Sequence, residues 1–144
     1  MNAQLKRFIV VSLSTADSSG YDRHTMQQLL RVVEPSSPDT RYVNYLGMAA
    51  YFLTSAQTFS VVERLISDLE NLRDTDSQFA TLRIGLAEGE LIADFDEAGV
   101  LRTESMLPLG GAVNEAAWCG REPNKYKTIL LTLREKILRE ATKT

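Results

Sequence analysis

The chain has 144 residues, of which 44% are hydrophobic and 24% charged, the balance of a globular protein with one core. We therefore expect residues 1–144 to form a single domain. The formal net charge is −3 and no Lys/Arg cluster suggests a basic face, which argues against nucleic acid as a partner. One cysteine (Cys119) and one histidine (His24) exclude an internal disulfide framework and a cysteine- or histidine-based metal centre.

Membrane and export signals are also lacking in the sequence. No apolar run approaches the ~20 residues that cross a bilayer. The N-terminal residues lead into a short apolar run with strand character, and no small-residue cleavage site follows it. We expect no membrane partner and a cytoplasmic location.

The first elements in chain order are a strand and a helix. The β-branched run over 8–13 is short and bounded by a loop-forming cluster, which predicts a buried strand. Apolar residues over 24–33 share one face at helical spacing, which predicts a helix. It should stop before Pro35, because proline disfavours helical backbone in the preceding residue.

A hairpin and a second helix come next. Two short strand-like runs, 42–46 and 49–53, predict a hairpin that turns at Gly47 and Met48. The apolar residues over 59–72 fall at helical spacing and predict the clearest amphipathic helix of the chain.

The second half of the chain predicts further strands and two more helices. One helix is predicted over 112–118, and Thr132 with Glu135 has the spacing of a capping box for the last helix. The predicted strands are 80–86, 90–95, 101–107 and 126–131, the middle two forming a hairpin. Strands interleaved with helices and hairpins predict an α+β fold: a ferredoxin-like mixed or antiparallel sheet with helices packed on it.

Several stretches, in the correct order, resemble class III adenylate/guanylate cyclases. Residues 11–21 are similar to the family's first strand and its Ala-Asp-Ile-x-Gly-Phe motif, and 45–52 resemble a hairpin that the family writes around Gly-Asp. Arg-Ile-Gly-Leu-Ala-Glu-Gly at 83–89 resembles Arg-Ile-Gly-Ile-His-x-Gly. Leu-Gly-Gly-Ala-Val-Asn-Glu-Ala-Ala at 109–117 resembles Leu-Gly-Asp-Thr-Val-Asn-Leu-Ala-Ala.

The resemblance implies a catalytic apparatus that this sequence lacks in part. Class III cyclases hold two divalent ions, Mg²⁺ or Mn²⁺, on two aspartates. Asp17 stands at the first of these positions, but Met48 stands at the second, and a thioether is a poor ligand for such ions. The Lys and Asp that read adenine correspond to Asn44 and Gly111.

The nucleotide side of the resemblance is also incomplete. Asn114 matches the asparagine that orients the ribose, whereas Trp118 stands where the family has the arginine that stabilises the transition-state phosphate. The resemblance thus implies a nucleotide-binding set of Asn114, Gly110 and Gly111, a metal ligand in Asp17, and no catalytic residue. Trp118 and Met48, at the altered positions, are candidate interface residues.

Each of these residues also has a plainer interpretation. Asp17 could be a loop residue that accepts local backbone hydrogen bonds. Asn114 could serve in capping or turn chemistry, and Gly110-Gly111 could turn the chain rather than cradle a phosphate. Trp118 could fill the former phosphate pocket or lie in a protein interface, where tryptophan is enriched.

The sequence therefore predicts a non-catalytic cyclase-homology domain that acts as a protein-interaction or dimerisation module in signalling. The alternatives are a nucleotide-binding sensor without turnover and a residual nucleotide cyclase. No cofactor is required, and Mg²⁺ or Mn²⁺ is expected only together with a nucleotide. The expected partner is a second copy of the chain or another signalling protein.

Overall fold

Two long antiparallel strands, β1 (Ala3–Thr15) and β4 (Leu82–Phe95), form the centre of the sheet. The computed structural model describes residues 3–16, 20–36, 40–44, 47–102 and 108–141, with residues 40–44 as backbone only. In these residues the sheet has five antiparallel strands in the order β2-β3-β1-β4-β5. The remaining strands are β2 (Thr40–Asn44), β3 (Gly47–Leu53) and β5 (Leu101–Arg102).

Two helices connect strands that lie two places apart in the sheet. Helix α1 (Arg23–Val33) joins β1 to β2, and α2 (Ala56–Thr75) joins β3 to β4. This β-α-β-β-α-β order confirms the predicted ferredoxin-like α+β fold. Two more helices follow the sheet, α3 (Gly111–Cys119) and α4 (Lys125–Ala141). In the described part of the chain, no helix is both long enough and apolar enough to cross a bilayer.

The sheet separates two apolar cores, because successive residues of a strand point to opposite faces. In β1, Ile9 and Val11 face the larger core, which α1, α2 and α4 cover. Phe8 and Val10 face the smaller core, which contains Ala112 and Ala116 of α3. The buried run predicted at 8–13 thus contributes to both cores.

Helices α1 and α2 confirm the predictions at 24–33 and 59–72. The Asp22 side chain caps α1 by accepting a 2.8 Å hydrogen bond from the Thr25 N–H, and α1 ends before Pro35 as predicted. The Ser55 hydroxyl caps α2 by accepting from the Thr58 N–H at 3.0 Å. Each cap satisfies an N–H that would otherwise have no partner within the helix.

Three predicted strands were too short. Strand β1 begins at Ala3, and the two strands predicted at 80–86 and 90–95 are a single strand, β4. No strand was predicted at residues 87–89, which include Glu88 and Gly89, yet these residues pair with 8–10 of β1. A long neighbouring strand that supplies hydrogen bonds throughout therefore overrides the weak local strand preference of this segment. The predicted hairpin to the next strand is confirmed in β4 and β5, and residues 103–107 lie outside the described residues.

The turn predicted at Gly47-Met48 was wrong. Both residues belong to β3, where they pair with Ser14 and Leu13 of β1. Residues 45–46, between β2 and β3, lie outside the described residues. Burial of the Met48 side chain in the larger core, at 1% exposure, favours its position in the strand over a turn.

The strand predicted at 126–131 was also wrong, because these residues belong to α4. Tyr126, Leu133 and Ile137 are the buried residues of α4, at a spacing that suits a helix. The Tyr126 hydroxyl donates to the Glu70 carboxylate at 2.6 Å and accepts from Arg73 at 3.2 Å, which ties α4 to α2. The predicted cap at Thr132 is interior to α4, where its hydroxyl donates to the Thr128 carbonyl at 3.1 Å.

Candidate functional site

Helix α3 lies directly on the backbone of β4 at Gly85. A Cβ atom added at Gly85 would lie 1.8 Å from the carbonyl oxygen of Ala116 in α3, a distance that no real side chain tolerates. Glycine at this position therefore lets the helix approach the strand without a side chain between them. Gly85, the first glycine of the 83–89 motif, therefore positions the helix that carries the predicted nucleotide-binding residues.

Gly110 has a comparable steric role at the start of α3. It is the N-cap residue of the helix and makes no side-chain capping bond. A Cβ atom there would lie 2.7 Å from the Glu90 carbonyl oxygen and 2.7 Å from the Leu91 side chain. Nothing lies within 4 Å of a Cβ added at Gly111, so only Gly110 is required by the packing of the chain.

Asn114 and Trp118 lie one helical turn apart on the exposed face of α3. Ala112, Ala116 and Cys119 form the opposite, buried face. The Trp118 side chain is 63% exposed, and the Arg121 guanidinium carbon lies 4.1 Å from the centre of its ring. The structure thus places Asn114 and the exposed indole ring of Trp118 on one surface.

On the predicted metal side, the described residues do not fit a Mg²⁺ or Mn²⁺ site. Asp17 lies outside the described residues. Met48 lies opposite Leu13 with its thioether in the larger core, so it offers no oxygen ligand. Its burial within the chain also leaves Trp118, and not Met48, as the residue available to a partner. Asn44 is described as backbone only, and it pairs with Gly47.

A pocket lined by three arginines lies at the start of β4, and one of them is Arg83 of the 83–89 motif. Arg73 of α2, Arg83 of β4 and Arg121 after α3 line a cavity of about 270 Å³. Ala16 at the end of β1 also lines it, and Glu122 is the one carboxylate among its described lining residues. Three arginines and one glutamate give the cavity a net positive charge, which favours an anion. The arginines are far apart in sequence, so only the tertiary structure makes this group visible.

The arginine pocket and Gly110 lie at opposite ends of α3. Gly110 precedes the first residue of this nine-residue helix, and Gly120 and Arg121, which follow its last residue, line the pocket. A helix of this length spans about 15 Å. The glycine pair and the arginine pocket therefore flank one helix in a single copy of the chain.

Glu88 forms a charged cluster that joins β4, β1 and α4. Its carboxylate accepts from Arg7 at 2.6 Å and from Lys136 at 2.8 Å, and its side chain is only 5% exposed. Burial is the largest single influence and raises the pKa of Glu88. The hydrogen bonds and charges of the two cations together outweigh burial and hold that pKa below its ordinary value of 4.5. Glu88 is therefore an ionised anchor for α4 near neutral pH.

Comparison with known proteins identifies nucleotide cyclases as structural neighbours. No family model and no curated protein sequence matches the chain. Two structures of a bacterial light-regulated adenylyl cyclase match at TM-scores of 0.55 and 0.51, each with 18% identity over 84% of this chain and 41% of the other. The guanylyl cyclase Cya2 matches at a TM-score of 0.50, with 12% identity over 84% of this chain and 72% of that protein. The chain thus has a cyclase-like fold and spans less than half of the light-regulated enzymes.

Proposed function

We propose that this chain is a non-catalytic cyclase-homology domain that acts as a protein-interaction or dimerisation module in signalling. The observation that carries the proposal is the state of the two altered positions. Met48 is enclosed in the core, whereas a metal ligand would have to face the substrate. Trp118 is exposed on α3, at the position where the resemblance implies a cationic side chain. The cyclase-like fold supports the family relation, and the chemistry of these two residues supports the loss of turnover.

An exposed tryptophan favours association, because covering its apolar ring releases water while the indole N–H can still find a partner. Trp118 has the highest exposed fraction among the large apolar residues of the described chain. Arg121 covers one face of its ring and leaves the remainder to solvent or to a partner. Tryptophan and arginine side by side are typical of the energetic centre of an interface. We propose a second copy of the chain as the first partner to test.

Sedimentation over a range of protein concentrations tests this proposal. Trp118 is the only tryptophan, so its emission reports this surface alone. We expect a concentration-dependent dimer and a blue shift of the emission as the ring leaves water. Trp118→Arg should give a monomer, whereas Leu131→Arg, at a 55% exposed position on α4, should dimerise like the parent chain. A monomer at all concentrations with unshifted emission would refute self-association.

A turnover assay tests the non-catalytic part separately. The chain should form no cyclic nucleotide from ATP or GTP with Mg²⁺ or Mn²⁺, and Trp118→Arg should not restore activity while Met48 occupies the metal position. Product formation that Asp17→Ala abolishes would overturn this part and establish a residual cyclase. The sedimentation result would not be affected by that outcome.

A nucleotide sensor without turnover is the second candidate, and the arginine pocket favours it. The three arginines give the pocket beside Ala16 a net positive charge, which favours the phosphates of a nucleotide. Asn114, Gly110 and Gly111 remain the candidate residues for the ribose and phosphates. Mg²⁺ or Mn²⁺ would enter only with the bound nucleotide.

Calorimetric titration with ATP, GTP and their cyclic products distinguishes the two candidates. Saturable micromolar binding that Arg83→Ala and Asn114→Ala both weaken would establish the sensor. Arg64→Ala, on the polar side of α2 and outside the arginine pocket, is the matched control. The absence of heat at high ligand concentration would leave the interaction module as the function.

A further inference from the structure

A cleft between α3 and α4, beside β4, is separate from the arginine pocket and adjoins the exposed face of α3 at Trp118. Its volume is about 610 Å³, larger than the 270 Å³ of the arginine pocket. Small-molecule sites commonly enclose about 300–1,000 Å³. The cleft is therefore large enough for a ligand of one or two fused rings.

The walls of the cleft are mainly apolar. Leu86 and Ala87 of β4 line it together with Ile129 and Leu133 of α4, and Trp118 of α3 lies at its side. Leu86, Ala87 and Leu133 are buried, whereas Ile129 is partly exposed. An apolar ligand body would replace water along these walls, which is the main source of affinity in such sites.

The accessible charges around the cleft are predominantly positive. The side chains of Arg7, Lys125 and Lys136 are 49%, 49% and 43% exposed. The Glu88 carboxylate is enclosed at 5% exposure, so Glu115 is the one exposed carboxylate among the described residues that line the cleft. The three cations and two carboxylates that line the cleft leave a net charge of +1 in a chain of net charge −3, and Lys125 is the cation that no lining carboxylate pairs with.

Lys125 is the cation best placed to meet a ligand. Arg7 and Lys136 already donate to Glu88 at 2.6 and 2.8 Å. Among the described residues, the Lys125 ammonium has one ion-pair partner, the exposed Glu122 at 3.8 Å, in an i,i+3 surface pair of small energy. Exchange of Glu122 for the anionic group of a ligand therefore costs little.

We propose that this cleft binds a small organic anion with an apolar ring body. The anionic group pairs with Lys125, and the rings lie between Ile129, Leu133 and the side of Trp118. The cleft shares Trp118 with the proposed dimer surface, whereas Lys125 and the apolar walls on β4 and α4 belong to the cleft alone.

The naphthalene dye 8-anilinonaphthalene-1-sulfonate has this chemistry and serves as the probe. Its neutral parent, N-phenyl-1-naphthylamine, has the same rings without the sulfonate and is the ligand control. We expect one saturable site for the sulfonate, energy transfer from Trp118 to the bound dye, and a raised melting temperature. Weaker binding of the neutral dye is expected, since it lacks the ion pair.

Two variants and one matched control locate the site on the protein. Lys125→Gln should weaken sulfonate binding by about threefold, as expected for a partly exposed ion pair, and should not change binding of the neutral dye. Lys127→Gln, on the same helix but paired with Glu70 outside the cleft, should change neither. Thr128→Phe, at an exposed lining position, should fill the cleft and abolish binding of both dyes with the fold retained.

Three outcomes would overturn the proposal. One is equal affinity for the charged and neutral dyes, and a second is an equal effect of Lys125→Gln and Lys127→Gln. The third is undiminished binding to a Thr128→Phe chain whose circular dichroism is that of the parent. Sedimentation of the same samples shows whether the dimer proposal stands or fails independently.

Discussion

The contact between α3 and β4 gives the sharpest test of the fold, through Gly85→Ala. The added Cβ would lie 1.8 Å from the Ala116 carbonyl oxygen, whereas an ordinary contact requires at least 3.4 Å. Both atoms belong to or adjoin the backbone, so no side-chain rotation relieves the clash. The helix would have to move away from the strand and open the smaller core around Ala112 and Ala116.

Such an overpacked contact costs about 3 kcal/mol or more of unfolding free energy, at the upper end of small-to-large core substitutions. That is a large part of the roughly 5–15 kcal/mol that stabilises an ordinary domain. Gly111→Ala is the matched control, because nothing lies within 4 Å of its added Cβ. It should be neutral or stabilise the chain by about 0.5 kcal/mol, since alanine favours helix over glycine.

Urea unfolding followed by far-ultraviolet circular dichroism measures both changes, and Trp118 emission reports the position of α3 in the folded state. We expect Gly85→Ala to shift the unfolding midpoint strongly downward and to alter the folded-state emission. If Gly85→Ala and Gly111→Ala differ by less than about 0.5 kcal/mol, the close approach of α3 to β4 is refuted.

Three other substitutions probe α4 and its attachment. Since the pKa of Glu88 is lowered in the folded state, its charge stabilises the fold above pH 4.5, and this contribution is lost as pH falls through the folded pKa. Glu88→Gln should therefore lower the free energy of unfolding at pH 7 and make it depend less on pH in acid, as measured by urea unfolding. Parallel pH profiles of the two proteins would contradict the ion-pair cluster. Tyr126→Phe should cost about 1 kcal/mol in urea unfolding by removing the bonds to Glu70 and Arg73, and no loss would contradict that link. Thr132→Ala should stabilise the chain by about 0.5 kcal/mol, because alanine favours a helix interior; a loss of about 1 kcal/mol would instead place Thr132 at a helix start.

Elements governed by local spacing could be predicted from the sequence alone. The apolar period of α2 and the stop of α1 before Pro35 depend on residues within a few positions of one another. The order of strands and helices then led to the ferredoxin-like α+β sheet, because crossovers between strands allow few arrangements. The predicted helix at 112–118 likewise places Asn114 and Trp118, four residues apart, on one face of α3.

Elements governed by distant partners could not be predicted in this way. The run at 126–131 suits a strand or a helix locally, and α4 forms because α2 and β4 provide an apolar surface and a hydrogen-bond partner for Tyr126. Glu88 stays in a strand because β1 pairs with it and Arg7 neutralises it. The arginine pocket and the cleft at Lys125 combine residues from separate elements. Short-range spacing determines which segments become amphipathic, but contacts between residues far apart in sequence decide which charges and cavities meet.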